Sequence, residues 1–220
     1  MNFKKLYSTT VFILISILCF SQSVDSVHFV SKTSNLKLSY NSSLIYPGVR
    51  TGIELPIKTM YITKVKKSGS TKVLAKDQFI TANISWYHHP NFHDNIYLTS
   101  GWTTRRTKSK GFFTEFSPEI GLSRTFLGGT TYKVDNNGKV TIERLAGYYY
   151  AFVSIGGGLG YDFSKTKSKP FMVFSKFNLF AMFPYNSTIY LRPAAEFGLI
   201  YTPQHFLVLK VRSRNIKKNI

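Results

Sequence analysis

The stretch Gly111–Phe126, GFFTEFSPEIGLSRTF, decides how this chain folds. Taken with period two it puts Phe112, Phe116, Pro118, Ile120 and Leu122 on one face, and Glu115, Ser117, Glu119, Gly121 and Ser123 on the other. That alternation belongs to a strand, whose side chains point to opposite sides of a sheet. A helix would scatter both sets around its circumference, and Pro118 would remove a hydrogen bond from its interior. In a soluble sandwich the apolar face would turn to a core and the glutamates to water. The same alternation recurs along the chain with Lys, Arg and Glu on the polar face. The pattern therefore predicts an all-β protein, an antiparallel transmembrane barrel turned inside out, apolar towards lipid and charged within.

Upstream, Tyr46–Ile57 alternates Val49, Thr51, Ile53 and Leu55 with Gly48, Arg50, Gly52 and Glu54. Gln78–His89 and Asn95–Arg105 follow, with Thr81, Asn83, Ser85, Tyr97, Thr99 and Thr103 on their polar faces. Downstream, Asp135-Asn136-Asn137-Gly138 marks a hairpin turn. Gly147–Phe163 then turns Gly156, Gly158 and Gly160 inwards, which makes room for large side chains from the facing strands. Pro170–Pro184 places Phe174, Lys176, Asn178 and Phe180 inside, and Thr188–Tyr201 does the same with Arg192, Ala194, Glu196 and Gly198. His205–Arg212 is the expected last strand, with Lys210 inside. The count is about eight, which leaves a lumen roughly wide enough for side chains alone.

The chain opens with Lys4 and Lys5, an apolar run from Val11 to Phe20 and then small residues, the layout of a secretory signal peptide over 1–21. That run is shorter than the ~20 residues of a spanning helix. Cys19, the single cysteine, falls inside it, so the processed chain is expected to lack disulfides and thiolate sites. Residues 22–45 read as a polar lead-in, 46–213 as the barrel and 214–220 as a basic tail. The formal charge of +19 drops by two, to +17, when Lys4 and Lys5 leave. Export and the crowding of cations at hairpin tips argue against nucleic acid as a partner.

With its alternating strands, aromatic strand ends and turn placement, the chain from Tyr46 to Arg212 resembles the small outer-membrane β-barrels of Gram-negative bacteria that OmpA and OmpX typify. FFTEFSPEIGLSRTFLGGTTY is also similar to exported bacterial barrels of uncharacterised role. The resemblance implies an outer-membrane location and no activity. Such barrels commonly finish on an aromatic residue, whereas this chain continues past Phe206 into RSRNIKKNI.

Three groups of residues are candidates for a role. Arg50, Glu54, Glu115, Glu119, Lys176, Arg192, Glu196 and Lys210 form the expected lumen network, either an ion path or a closed salt-bridge core; the narrow lumen favours the core. His88, His89 and His93 surround one turn and are weak metal candidates, since neighbours on a strand point to opposite faces. Arg105, Arg106, Lys108 and Lys110 are expected at a tip facing the phosphates of outer-leaflet lipopolysaccharide. No cofactor is expected: Gly156-Gly157-Gly158-Leu159-Gly160 precedes no helix and so lacks the mechanism of a phosphate loop. The function expected is a non-enzymatic barrel, structural or binding envelope components, with outer-membrane lipid, lipopolysaccharide and an envelope protein as partners. A membrane-embedded lipid A hydrolase and a soluble lipocalin-like carrier are the alternatives.

Overall fold

The computed structural model describes residues 24–43, 46–65, 70–90, 92–185 and 188–219, so the expected signal peptide lies outside the described residues. The strands are β1 (Val24–Thr33), β2 (Asn35–Ser42), β3 (Gly48–Val65), β4 (Thr71–His89), β5 (His93–Lys108), β6 (Phe112–Leu127), β7 (Thr131–Val134), β8 (Val140–Glu143), β9 (Tyr149–Asp162), β10 (Phe171–Tyr185), β11 (Thr188–Tyr201) and β12 (Val208–Asn219). A single helical turn, α1 (Ser164–Lys167), joins β9 to β10. Eight strands close a ring in the order β3, β2, β11, β10, β9, β6, β5, β4, and back to β3, with every neighbouring pair antiparallel. Closure leaves no open edge around the ring, which is how a sheet satisfies its backbone groups without water.

The ring is shifted by one strand from the sequence expectation. Residues 22–45 are not merely a lead-in. Within them β2 closes the barrel, with Asn35, Lys37, Ser39 and Asn41 turned inwards and Leu36, Leu38 and Tyr40 outwards. β12, expected as the closing strand, stands outside the ring because β11 is already paired on both edges, by β10 and by β2. The chain bends at buried Ser34, whose hydroxyl donates to the Leu207 carbonyl at 2.8 Å. Past that bend β3 has a vacant edge, and β12 takes it in parallel from Lys58 to Val65, with β1 added antiparallel on its far side. The basic tail therefore does not form a separate unit: 214–219 continues β12. The inward parity of the last strand is also reversed. Val211 and Ser213 are buried, whereas Lys210 is exposed and does not belong to the lumen.

Both described chain ends, the β3–β4 and β5–β6 hairpin ends and α1 share one mouth, here the terminal end. The opposite end carries the other ring connections and the β7–β8 hairpin, whose turn is held by Asp135 Oδ1 accepting from the backbone of Asn137 and Lys139. Inside, the β9 glycines leave the expected room. A Cβ on Gly160 would lie 2.4 Å from the Phe113 ring, and one on Gly156 2.2 Å from Asn178 Oδ1.

Closure by β2 and not by β12 has a direct check. Leu38 and Leu199 are opposite residues on the outer face of β2 and β11, within the ~4.5–5.5 Å Cβ range of cross-strand pairs and near disulfide geometry. Mild oxidation of Leu38→Cys/Leu199→Cys is expected to give an intrachain cross-link seen as a gel shift that reductant reverses. A Val49→Cys/Leu209→Cys pair should give none, and the reverse result would put β12 in the ring.

Candidate functional site

The interior is built by strand parity: each ring strand sends alternate residues inwards, and eight strands bring them within contact across the axis. At its centre Glu196 accepts from Ser39 Oγ at 2.8 Å and Asn178 Nδ2 at 2.9 Å. It also meets Lys37 at 3.1 Å, Lys176 at 3.3 Å and Arg50 at 3.9 Å. Arg50 binds Glu119 directly, and Thr99 donates to the same carboxylate at 2.9 Å. Lys176 extends to Glu119 at 3.9 Å and Glu115 at 4.0 Å. All these groups are buried, so each charge is compensated by countercharges and hydrogen bonds and not by bulk water.

Towards the terminal end Arg105 replaces the Lys176 cluster. Its guanidinium grips Glu54 with two bonds, Nη2 to Oε1 at 2.8 Å and Nη1 to Oε2 at 3.0 Å. It also donates to Glu115 Oε2 from Nε at 3.2 Å and Nη2 at 2.9 Å. The Phe79 and Phe113 rings flank it at about 5 Å. Such two-pronged Arg–carboxylate pairs fix geometry as well as charge. Arg105 is thus an interior residue at 2% exposure, not a headgroup-facing one, and strand parity with inward Thr103 carried that signal. Lys37 was likewise missed, since β2 was not read as a strand. Arg106, Lys108 and Lys110 are exposed at the terminal end, where Lys32 and Asp77 also pair across the mouth.

At the opposite end the filling turns aromatic. Tyr97 stacks on Phe152 with centroids 4.9 Å apart, Phe152 touches Phe180 at 5.1 Å, and Arg192 lies over Tyr87 at 4.0 Å and Phe180 at 5.1 Å. Unlike the other lumen cations, Arg192 has no carboxylate within 4 Å among the described residues. At the same mouth opens a cavity of about 290 Å³ walled by tyrosines, Phe92, His89 and His93; Tyr87 is one of its walls and Arg192 is not. The three turn histidines do not converge. His89 and His93 face each other at the mouth, 5.1 Å between ring centres, while His88 is exposed and meets Asp94 at 2.8 Å. Among the described residues no group of three His, Cys, Asp or Glu side chains is placed to hold a metal.

No protein-family model and no curated protein matches the chain. Among solved structures it is similar to the N-terminal β-barrel domain of Pseudomonas aeruginosa OprF (12% identity, 78% of this chain and 98% of that one, TM-score 0.41). It is also similar to Neisserial surface protein A (8%, 81% and 100%, TM-score 0.41) and to the β domain of the Bordetella autotransporter BrkA (10%, 82% and 64%, TM-score 0.33).

The compensation inside the barrel predicts a graded mutational response. Glu196→Gln strands Lys37 beside a neutral amide and leaves Lys176 only its longer contacts to Glu115 and Glu119, and breaking a buried pair in this way costs ~3–5 kcal/mol. Asp77→Asn breaks the partly exposed pair with Lys32 while keeping an Oδ1 acceptor for Thr59, and should cost ~1 kcal/mol or less. Denaturant titration of the two variants in one detergent should separate them; equal midpoints would show a hydrated interior.

Proposed function

We propose that this chain is an integral, non-enzymatic barrel of a Gram-negative outer membrane, exported by a cleaved signal peptide, serving as a closed structural or envelope-binding element and not as a pore. The observation that carries the reading is the inversion of the sheet. Ile84, Leu98, Ile120, Leu122, Leu179 and Leu199 are exposed around the outside, while arginines, lysines and glutamates are buried inside. An apolar band of that extent suits hydrocarbon and not water. No helix among the described residues is long and apolar enough to span, so any crossing is made by strands. A lipocalin-like carrier needs the opposite distribution. For a hydrolase, outward His88 lies on the opposite face of β4 from inward Ser85, and His89, on the same face, stands four residues and ~13 Å along the strand, beyond the reach of a nucleophile–base pair.

The two ends differ in what insertion would cost. The terminal end exposes Lys72, Arg106, Lys108, Lys110, Lys165 and Lys169, whereas the other end mixes Lys133, Lys139 and Arg144 with Asp135 and Glu143. Moving a dense cationic end through hydrocarbon is the costlier route, so the terminal end stays in the periplasm. In this orientation its exposed cations face acidic headgroups of the periplasmic leaflet, at ~1 kcal/mol per basic residue, in place of lipopolysaccharide.

Three measurements test this reading. The purified chain should be silent in planar bilayers, and steady ion-selective steps would mean an open lumen. Leu122→Arg should cost ~2–4 kcal/mol in a lipid folding titration. Ser123→Ala, which loses one bond to Asn95, should cost ~1 kcal/mol; equal costs would remove the lipid-facing assignment. Thr141→Cys should take an impermeant thiol label on intact cells and Lys108→Cys only after the outer membrane is opened, with the opposite order inverting the topology.

A further inference from the structure

We propose that the aromatic mouth opposite the chain ends is a binding site for a small monocarboxylate with a flat apolar body, the carboxylate pairing with Arg192. The inference starts from compensation inside the barrel. Lys37, Arg50, Arg105 and Lys176 each meet a glutamate within 4 Å. Arg192, equally buried at 3% exposure, meets none among the described residues; its Nε and Nη1 have no hydrogen-bond partner, as is also true of Arg50, so the missing carboxylate is what sets it apart. The remaining buried acid, Asp162, lies at the terminal end, where its carboxylate accepts from the Ser164 backbone. Two aromatic faces stabilise the guanidinium, but a cation–π contact is weaker than a desolvated charge pair and satisfies no N–H.

The empty space shares the Tyr87 ring with this cation; Arg192 is not itself a wall, so a carboxylate pairs with it by turning that ring aside. Tyr87, whose ring is 4.0 Å from the Arg192 guanidinium, is also a wall of the 290 Å³ cavity, together with Tyr46, Tyr150 and Tyr190. Tyr190 precedes Arg192 by two on β11 and so shares its inward face. That volume is at the lower limit of small-molecule sites and suits one or two rings. Tyrosine faces favour a flat apolar body. One uncompensated guanidinium matches one negative charge, so a dianion would leave its second charge without a partner in the cup. The site depends on the interior and the cavity alone and holds whichever way the barrel sits in a membrane.

The test uses the full chain in detergent with benzoate and its neutral isostere benzamide, followed by calorimetry and by chemical shifts of the cavity tyrosines. Benzoate is expected to bind saturably and about tenfold or more tighter than benzamide, the scale of one charge-assisted pair. Arg192→Gln should abolish that preference while leaving the barrel folded, since it removes an uncompensated buried charge. The wild-type comparison decides the matter even if that variant fails to fold. Equal affinity of the two probes, absence of benzoate binding, or an Arg192→Gln protein that still prefers benzoate would overturn the proposal.

Discussion

A closed ring of eight strands encloses a space that side chains fill, and this one is filled with charge. From Glu196 to the terminal end, the interior follows from the need to compensate that charge without bulk water. Glu196 is the pivot, because it holds Lys37 from β2, Lys176 from β10 and Arg50 from β3 while taking hydrogen bonds from Ser39 and Asn178. One carboxylate thereby ties together four consecutive strands of the ring, β3, β2, β11 and β10. A slip of one residue in any of them would flip its charges to the apolar face. The network therefore bears on register as well as stability, the best-attested use of buried ionic groups.

This register dependence explains how much could be read from sequence. From β3 to β11 the alternation is strong, and the residues assigned inwards, from Arg50 and Glu54 to Arg192 and Glu196, lie inwards. The misreadings occur where period two is interrupted or masked. β2 offers only Leu36, Leu38 and Tyr40 as apolar markers, and its inward Asn35, Lys37, Ser39 and Asn41 look like a solvated segment. Arg105 sits in a run of cations that resembles a hairpin tip, although its parity with Thr103 already placed it inside. At the C-terminus, HFLVLKVR alternates well, but Leu207 adopts a left-handed backbone (φ 42°) just before β12 begins. Parity counted through such a kink loses its meaning, and Lys210 came out on the wrong face.

The neighbours of β3 could not be deduced from periodicity at all. Its first half pairs with β2 and its second half with β12, one antiparallel and one parallel. Alternation states which face a residue takes and nothing about which strand lies alongside. The partner is decided by vacancy: β2 leaves the edge at Ser34, and the chain leaving β11 finds that edge free. The same step brings both described chain ends to the basic mouth, so placing one strand correctly changes which end of the barrel carries the cations relative to the termini.

The two mouths then differ in a way that composition alone conceals. At the terminal end cations and acids meet: Arg105 is saturated by Glu54 and Glu115, and Lys32 by Asp77. At the other end the polar filling stops at Arg192 and rings take over. Aromatic faces lower the cost of a buried guanidinium by ~2 kcal/mol or more, against a desolvation penalty of several. Stability alone would favour an uncharged side chain at this position, as replacing buried charges with apolar groups of similar volume is often neutral or stabilising. What sets Arg192 apart from the other buried cations among the described residues is the missing carboxylate and not its unused donors, since Arg50 Nε and Nη1 and Lys176 Nζ also lack hydrogen-bond partners, and that missing countercharge is the reason to propose a ligand there.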